Sequence, residues 1–167
     1  MKIRNDAAGA LLALGLLFAF PVRALERVPV LSLDVAQKIA DTVKAKAVEK
    51  GWKMNVSIVD GGANTVLFER MDGAALGSIQ HAQLKAEQSA RMGAATRQFG
   101  ELAFGKDAKG GPLPGVAHLP GFVTFPGGLP IKVGEVTIGA VGVSGSLPDH
   151  DEICAQAGLD AVRELLK

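Results

Sequence analysis

The stretch Met54-Asn55-Val56-Ser57-Ile58-Val59-Asp60-Gly61-Gly62-Ala63-Asn64-Thr65-Val66-Leu67-Phe68-Glu69-Arg70 decides the fold. Met54, Val56 and Ile58 recur at every second position, the period of a strand with one face on a core. Asp60 to Asn64 is a turn cluster, and Val66 to Arg70 reads as the returning strand. A connection this short makes the pair antiparallel, because a parallel pair needs a crossover of about a dozen residues or more. Asp60 is expected to form the turn by accepting backbone amide hydrogen bonds.

Upstream, Ser32 is a good cap for a helix in which Leu33, Ala36, Ile39, Ala40, Val43 and Ala47 recur at helical spacing until Gly51 stops it. Downstream, a second helix is expected from about Ser78 to Met92. Its small-residue face of Ile79, Ala82, Ala86, Ala90 and Gly93 suits close packing on a sheet, and its other faces are polar. His81, Lys85, Gln88 and Met92 form a separate stripe on it, and Glu87 and Arg91 stand four apart in the order that favours a solvent ion pair. A short helical piece follows from Thr96 to Leu102. Between Phe104 and Pro130 five prolines stand among many glycines, which denies the segment a long helix or a central strand. A loop this long inside a compact domain is usually functional or disordered.

Leu129 to Val133, a Gly134-Glu135 turn and Val136 to Ser144 read as a second hairpin, with Gly139 and Gly142 inviting close approach by a neighbour or ligand. The last helix is expected from about Asp149 to the C-terminus, with Ile153, Ala157, Ala161 and Leu165 inward. The order α-β-β-α-α-β-β-α predicts an α/β (α+β) fold, a central antiparallel sheet flanked by helices, and argues against Rossmann and P-loop architectures.

Residues 1–24 read as a secretory signal peptide. Lys2 and Arg4 supply a basic start, Ala7 to Phe20 an apolar run, and Val22-Arg23-Ala24 a cleavage site. The apolar run is shorter than the ~20 residues needed to cross a bilayer. Cleavage would leave a single domain of residues 25–167, periplasmic or secreted and free of the membrane. It also removes three basic residues and one acidic residue, leaving the chain near neutral. With no basic patch remaining, nucleic acid is not an expected partner. Cys154 is the one cysteine, which excludes an intrachain disulfide, a cysteine zinc site and covalent C-x-x-C-H heme attachment; with no tyrosine, tyrosinate ligation is excluded too.

Three segments resemble the GlcG/HbpS-like family: Val59-Asp60-Gly61-Gly62 with Glu69-Arg70-Met71-Asp72-Gly73-Ala74; Phe125-Pro126-Gly127-Gly128-Leu129-Pro130-Ile131; and Ile138 to Gly145 followed by Asp151-Glu152. The resemblance spans nearly all of residues 25–167. It implies a profilin-like fold and assembly into homo-oligomers. In some members it implies heme binding or chemistry linked to heme degradation. It extends to a domain found beside cobalamin adenosyltransferases of the PduO type. Fold alone does not fix function.

Non-covalent heme needs an axial donor, apolar walls and polar or cationic groups near the propionates. His81 or His118 is the candidate iron donor. Lys85 or Arg70 is expected near the propionates, with Phe125, Gly127 and Gly128 lining the site. Glycines permit close approach to a planar ligand, although a tight turn before a strand explains them equally well. The alternative is an isomerase or lyase acting on a small oxo- or hydroxy-acid, with Arg70 gripping the carboxylate and Asp60, His81 or Glu152 moving a proton. A non-catalytic oligomeric accessory subunit is a third reading. Asp149-His150-Asp151-Glu152 could bind a divalent metal or do acid-base work, but Asp149 and Glu152 read better as an N-cap with its capping box. Cys154 is expected to be a buried, inert thiol.

Overall fold

The computed structural model describes residues 27–167; the expected signal peptide lies outside the described residues. Eight regular elements alternate as the sequence predicts: α1 (Leu33–Lys50), β1 (Asn55–Asp60), β2 (Thr65–Arg70), α2 (Ser78–Met92), α3 (Thr96–Phe104), β3 (Gly128–Val133), β4 (Val136–Ser144) and α4 (Pro148–Asp160). The strands form one antiparallel sheet in the order β2-β1-β4-β3. The two hairpins are thus joined edge to edge through β1 and β4, with Asn55 opposite Ser144 and Val59 opposite Ala140. Among the described residues, no helix is long and apolar enough to cross a membrane.

The sheet is covered on both faces. Val56 and Ile58 of β1, Val141 and Val143 of β4, and Leu129 and Ile131 of β3 join Ile39, Ala40 and Val43 of α1 and Cys154 and Ala155 of α4 in the main core. On the opposite face Val59 and Ala140 meet Ala86 and Ala90 of α2. A Cβ at Gly142 would lie 2.1 Å from the Ala82 carbonyl oxygen, so α2 rests almost backbone to backbone on β4. This second cover explains why Asn55 and Ser57 are as buried as their apolar neighbours Val56 and Ile58. Burial on both faces removes the polar half of the usual alternation.

Ser32 caps α1 by accepting from the Val35 amide at 3.3 Å, and Gly51 ends the helix in the left-handed conformation. Asp60 Oδ1 accepts from the amides of Gly62 and Asn64 at 2.8 and 2.9 Å, forming the expected turn.

α4 ends at Asp160, short of the C-terminus, where a 3-10 turn takes over at Arg163–Leu165, and the segment departs from its expected register. Ile153 is 48 % exposed and Leu165 57 %, while Asp151, Cys154, Ala155, Gly158 and Val162 face inward. The predicted capping box is absent as well: Pro148 opens the helix with no side-chain cap, and Asp149 and Glu152 both pair with Arg97 of α3. Arg97 accounts for the lost box, and the register follows from Asp151, which is drawn into the core by a buried cation and turns the helix with it.

Candidate functional site

That cation is Lys85. It lies on α2 three residues after Ala82 and one before Ala86, on the side that faces the sheet, and it has no exposed surface. Its ammonium donates to Asp151 Oδ2 at 2.7 Å and to the Val143 carbonyl at 2.9 Å, with Ser144 Oγ at 3.5 Å. Asp151 uses its other oxygen, Oδ1, to accept from the amides of Gly145 and Ser146, both at 3.1 Å. The pair therefore ties α2, the end of β4 and the start of α4 together. Burial pushes the Lys85 pKa down and the Asp151 pKa up, and their mutual attraction opposes both shifts.

Above this pair opens a cleft of about 580 Å³. Ala75, Ser78 and His81, at the start of α2, form one wall. Ser144, Gly145, Ser146 and Pro148, between β4 and α4, form the other, and Phe125 and Asp151 complete it. Phe125 stands edge-on to His81 with ring centres 5.6 Å apart and lies 4.8 Å from the Lys85 ammonium. The Pro/Gly-rich loop that carries Phe125 is pinned by Gln88, whose side-chain amide both donates to and accepts from the Val123 backbone.

Asn55, fully buried at the start of β1, lies behind the cleft wall and bonds two of its residues. Its Nδ2 donates to Ser78 Oγ at 2.7 Å and to the Ala75 carbonyl at 3.1 Å, while its Oδ1 has no hydrogen-bond partner among the described residues.

The structure brings together only part of the predicted set. His81 and Phe125 share the cleft, and His81 is exposed and makes no hydrogen bond among the described residues. Lys85 shares their neighbourhood but is buried and paired. Gly127 and Gly128 do permit a close approach, but the approach is made by the protein itself. A Cβ at Gly127 would lie 2.7 Å from Lys85 Nζ, one at Gly128 would lie 2.5 Å from the Lys85 carbonyl oxygen, and the Gly128 amide donates to Thr96 Oγ1.

Arg70 ends β2 opposite Asn55, which in turn pairs with Ser144; it is exposed and stands outside the cleft lining. His118 ends the short 3-10 turn Pro114–His118 and stands outside the cleft lining. Asp60 lies at the opposite end of β1, and Glu152 is occupied by Arg97.

The acidic and histidine run at the start of α4 disperses. Asp149 and Glu152 go to Arg97 and Asp151 to Lys85. His150 stacks on Trp52 at 4.0 Å and meets Ser146 Oγ through Nδ1. Among the described residues, no group of three His, Cys, Asp or Glu side chains could hold a metal ion. Cys154 is buried as expected, and burial pushes its thiol up to about 11. Sequence reasoning placed Asp151 only within the cluster at the start of α4, not beside Lys85, and missed Asn55. The one available signal was a lysine among the alanines of the sheet-facing side of α2.

The similarities to known proteins cover the same elements. A Citrobacter freundii protein, the uncharacterized 15.0 kDa protein in the dhaT-dhaS intergenic region, is 33 % identical over 142 residues, which cover 84 % of this chain and 97 % of the relative. The crystal structure of Klebsiella pneumoniae protein ORFY superposes with a TM-score of 0.76 at 32 % identity, covering 84 % of this chain and 95 % of that one. A PduOC:heme complex superposes with a TM-score of 0.70 at 25 % identity, covering 80 % and 95 %. Residues 31–160 match the model of the family described as haem degrading protein HbpS-like, and the chain belongs to that family.

Proposed function

We propose that this protein binds heme non-covalently in the cleft between the start of α2 and the β4–α4 connection, for sequestration or sensing, after export to the periplasm or the medium. The observation that carries the reading is the exposed imidazole of His81, free of hydrogen bonds among the described residues and set against the Phe125 ring in a cleft of about 580 Å³. A volume of this size lies within the ~300–1,000 Å³ usual for small-molecule sites. Membership of an HbpS-like family and likeness to a protein solved with heme support it.

The lining supplies a donor and an aromatic wall, and the cation for a propionate would come from outside it. His81 would hold the iron through a neutral imidazole nitrogen, and Phe125 would pack against the ring. Arg70, exposed outside the cleft lining, would meet a propionate. Lys85 is unsuited to that role because its ammonium is spent on Asp151. When bound, heme supplies a redox-active iron. The cleft is open on one side, and a second copy of the chain covering it accords with the homo-oligomer we also propose. Export rests on the signal-peptide reading of residues 1–24.

Hemin titration of the purified protein, followed by absorbance against an unrelated control protein, tests the proposal. A saturable Soret change at a simple ratio to subunits is expected, and His81→Ala should shift or collapse it while His118→Ala leaves it intact. Featureless, unsaturable uptake would overturn heme binding. Unchanged spectra in both histidine variants would overturn histidine ligation.

A further inference from the structure

We infer that Lys85 is a Schiff-base lysine, and that the cleft admits a small aldehyde or ketone whose carbonyl carbon the Lys85 amine attacks while Asp151 moves the protons. This goes beyond heme binding and does not depend on it.

Lysine is almost never fully buried unless paired, and Lys85, wholly inaccessible, is held there by its pair with Asp151. As a purely structural device the arrangement is poor, because a well-packed apolar pair of similar volume usually stabilises a core at least as well as a buried ion pair. Its placement is more telling. Three of the groups around the ammonium, Asp151, Ser144 and Phe125, also line the cleft, so the nitrogen lies one side-chain layer beneath it. Phe125, half-buried, lines the cleft and lies 4.8 Å from the nitrogen, so its ring is what a small molecule must displace to reach the amine. Asn55 Oδ1, buried without a partner among the described residues, belongs to a side chain that bonds Ser78 and Ala75 of the cleft wall. Desolvation favours the neutral amine that attack requires.

The step balances with these two side chains. The Lys85 ammonium gives a proton to the Asp151 carboxylate, and the free amine forms a bond to the carbonyl carbon as the π electrons move to oxygen. Asp151 protonates that oxygen and removes a proton from nitrogen, giving a neutral carbinolamine. It then protonates the hydroxyl, which leaves as water, and the nitrogen lone pair closes the C=N bond. The products are a protonated imine on Lys85, one water and the regenerated Asp151 carboxylate.

The test is reductive trapping of the purified protein with pyruvate, and separately with propionaldehyde, in cyanoborohydride near neutral pH, read by peptide mass spectrometry. Lys85 should be modified by at least one probe about tenfold or more faster than the exposed Lys53, Lys106 and Lys109, as expected of an activated amine. Asp151→Asn should slow that modification by about tenfold or more, in line with loss of an acid-base group, and Phe125→Ala should speed it. Modification of the exposed lysines with Lys85 untouched overturns the inference in the unaltered protein, whatever the variants do. Undiminished trapping in a folded Asp151→Asn protein overturns the role of Asp151. A trapped Lys85 in a protein that fails the hemin titration leaves this inference standing, and a heme-binding protein with Lys85 unmodified removes this inference alone.

Discussion

Lys85 Nζ and Asp151 Oδ2, 66 residues apart in sequence, meet at 2.7 Å with essentially no exposed surface on either side chain. Two helices on opposite faces of the sheet are joined by this contact, which passes the end of β4 where Gly145 and Ser146 donate to the same carboxylate. The geometry of the cleft and the packing of the fold therefore depend on one pair.

Removing one partner leaves the other charge buried and uncompensated. Lys85→Met alone, or Asp151→Leu alone, should cost about 3–5 kcal/mol of unfolding free energy, whereas the double variant should recover most of that loss. Urea denaturation of all four proteins provides the cycle. Additive losses in the double variant would mean that the two residues act independently.

The closeness of α2 to the sheet gives a sharper test of packing. A methyl at Gly142 would lie 2.1 Å from the Ala82 carbonyl and 2.5 Å from the Ala86 amide, both backbone atoms that can move only if the helix moves. Gly142→Ala should destabilise by about 3 kcal/mol, at the upper end of overpacking costs. A methyl at Gly115 would meet nothing within 4 Å, and the backbone there has no positive φ, so Gly115→Ala should be neutral or stabilising by up to about 1 kcal/mol. Thermal unfolding compares the two directly, and equal effects would contradict the packing account.

What the sequence revealed follows from which forces are local. The hairpin at Asp60 to Asn64, the Ser32 cap and the alanine face of α2 are set by neighbours a few residues away, and each occurs as expected. The register of α4 was not legible, because it is set by a residue on another helix. By apolar periodicity Ile153 belongs inside and Asp151 outside, but a buried ammonium reverses that order. The capping box failed for a related reason: Arg97 offers Asp149 and Glu152 a charged partner instead of backbone amides. In the site, the nearness of His81 to Phe125 joins distant segments and left no periodic signal.

Asp60 should make the first turn sensitive to acid. Hydrogen bonds from Asn64 and the Gly62 amide hold its carboxyl below the usual carboxylate range. A depressed folded pKa contributes stability that is present above the unfolded value of 3.8 and is lost as pH falls through the lower, folded value. Asp60→Ala should therefore cost about 1 kcal/mol at pH 7, the worth of its lost hydrogen bonds, and progressively less below pH ~4. Urea titrations at neutral and acidic pH check the convergence, and a constant difference would show that charge plays no part.

Cys154 should have the opposite dependence at the alkaline end. Burial chiefly, and then the nearby Asp151 charge, push its thiol from 9.0 to about 11. An acid whose folded pKa is raised contributes stability that is intact below the unfolded value and is lost as pH rises through the folded one, a window here of pH 9 to 11. The slope cannot exceed ~1.4 kcal/mol per pH unit for a single proton. Cys154→Ala should flatten this part of the stability profile, although its neutral-pH stability falls because a buried sulfur is lost. The thiol itself should be alkylated by iodoacetamide at pH 8 about tenfold or more slowly in the folded protein than in denaturant, since both the thiolate fraction and access are low. Rapid alkylation of the native protein would place Cys154 at an accessible surface and remove the basis for the alkaline slope as well.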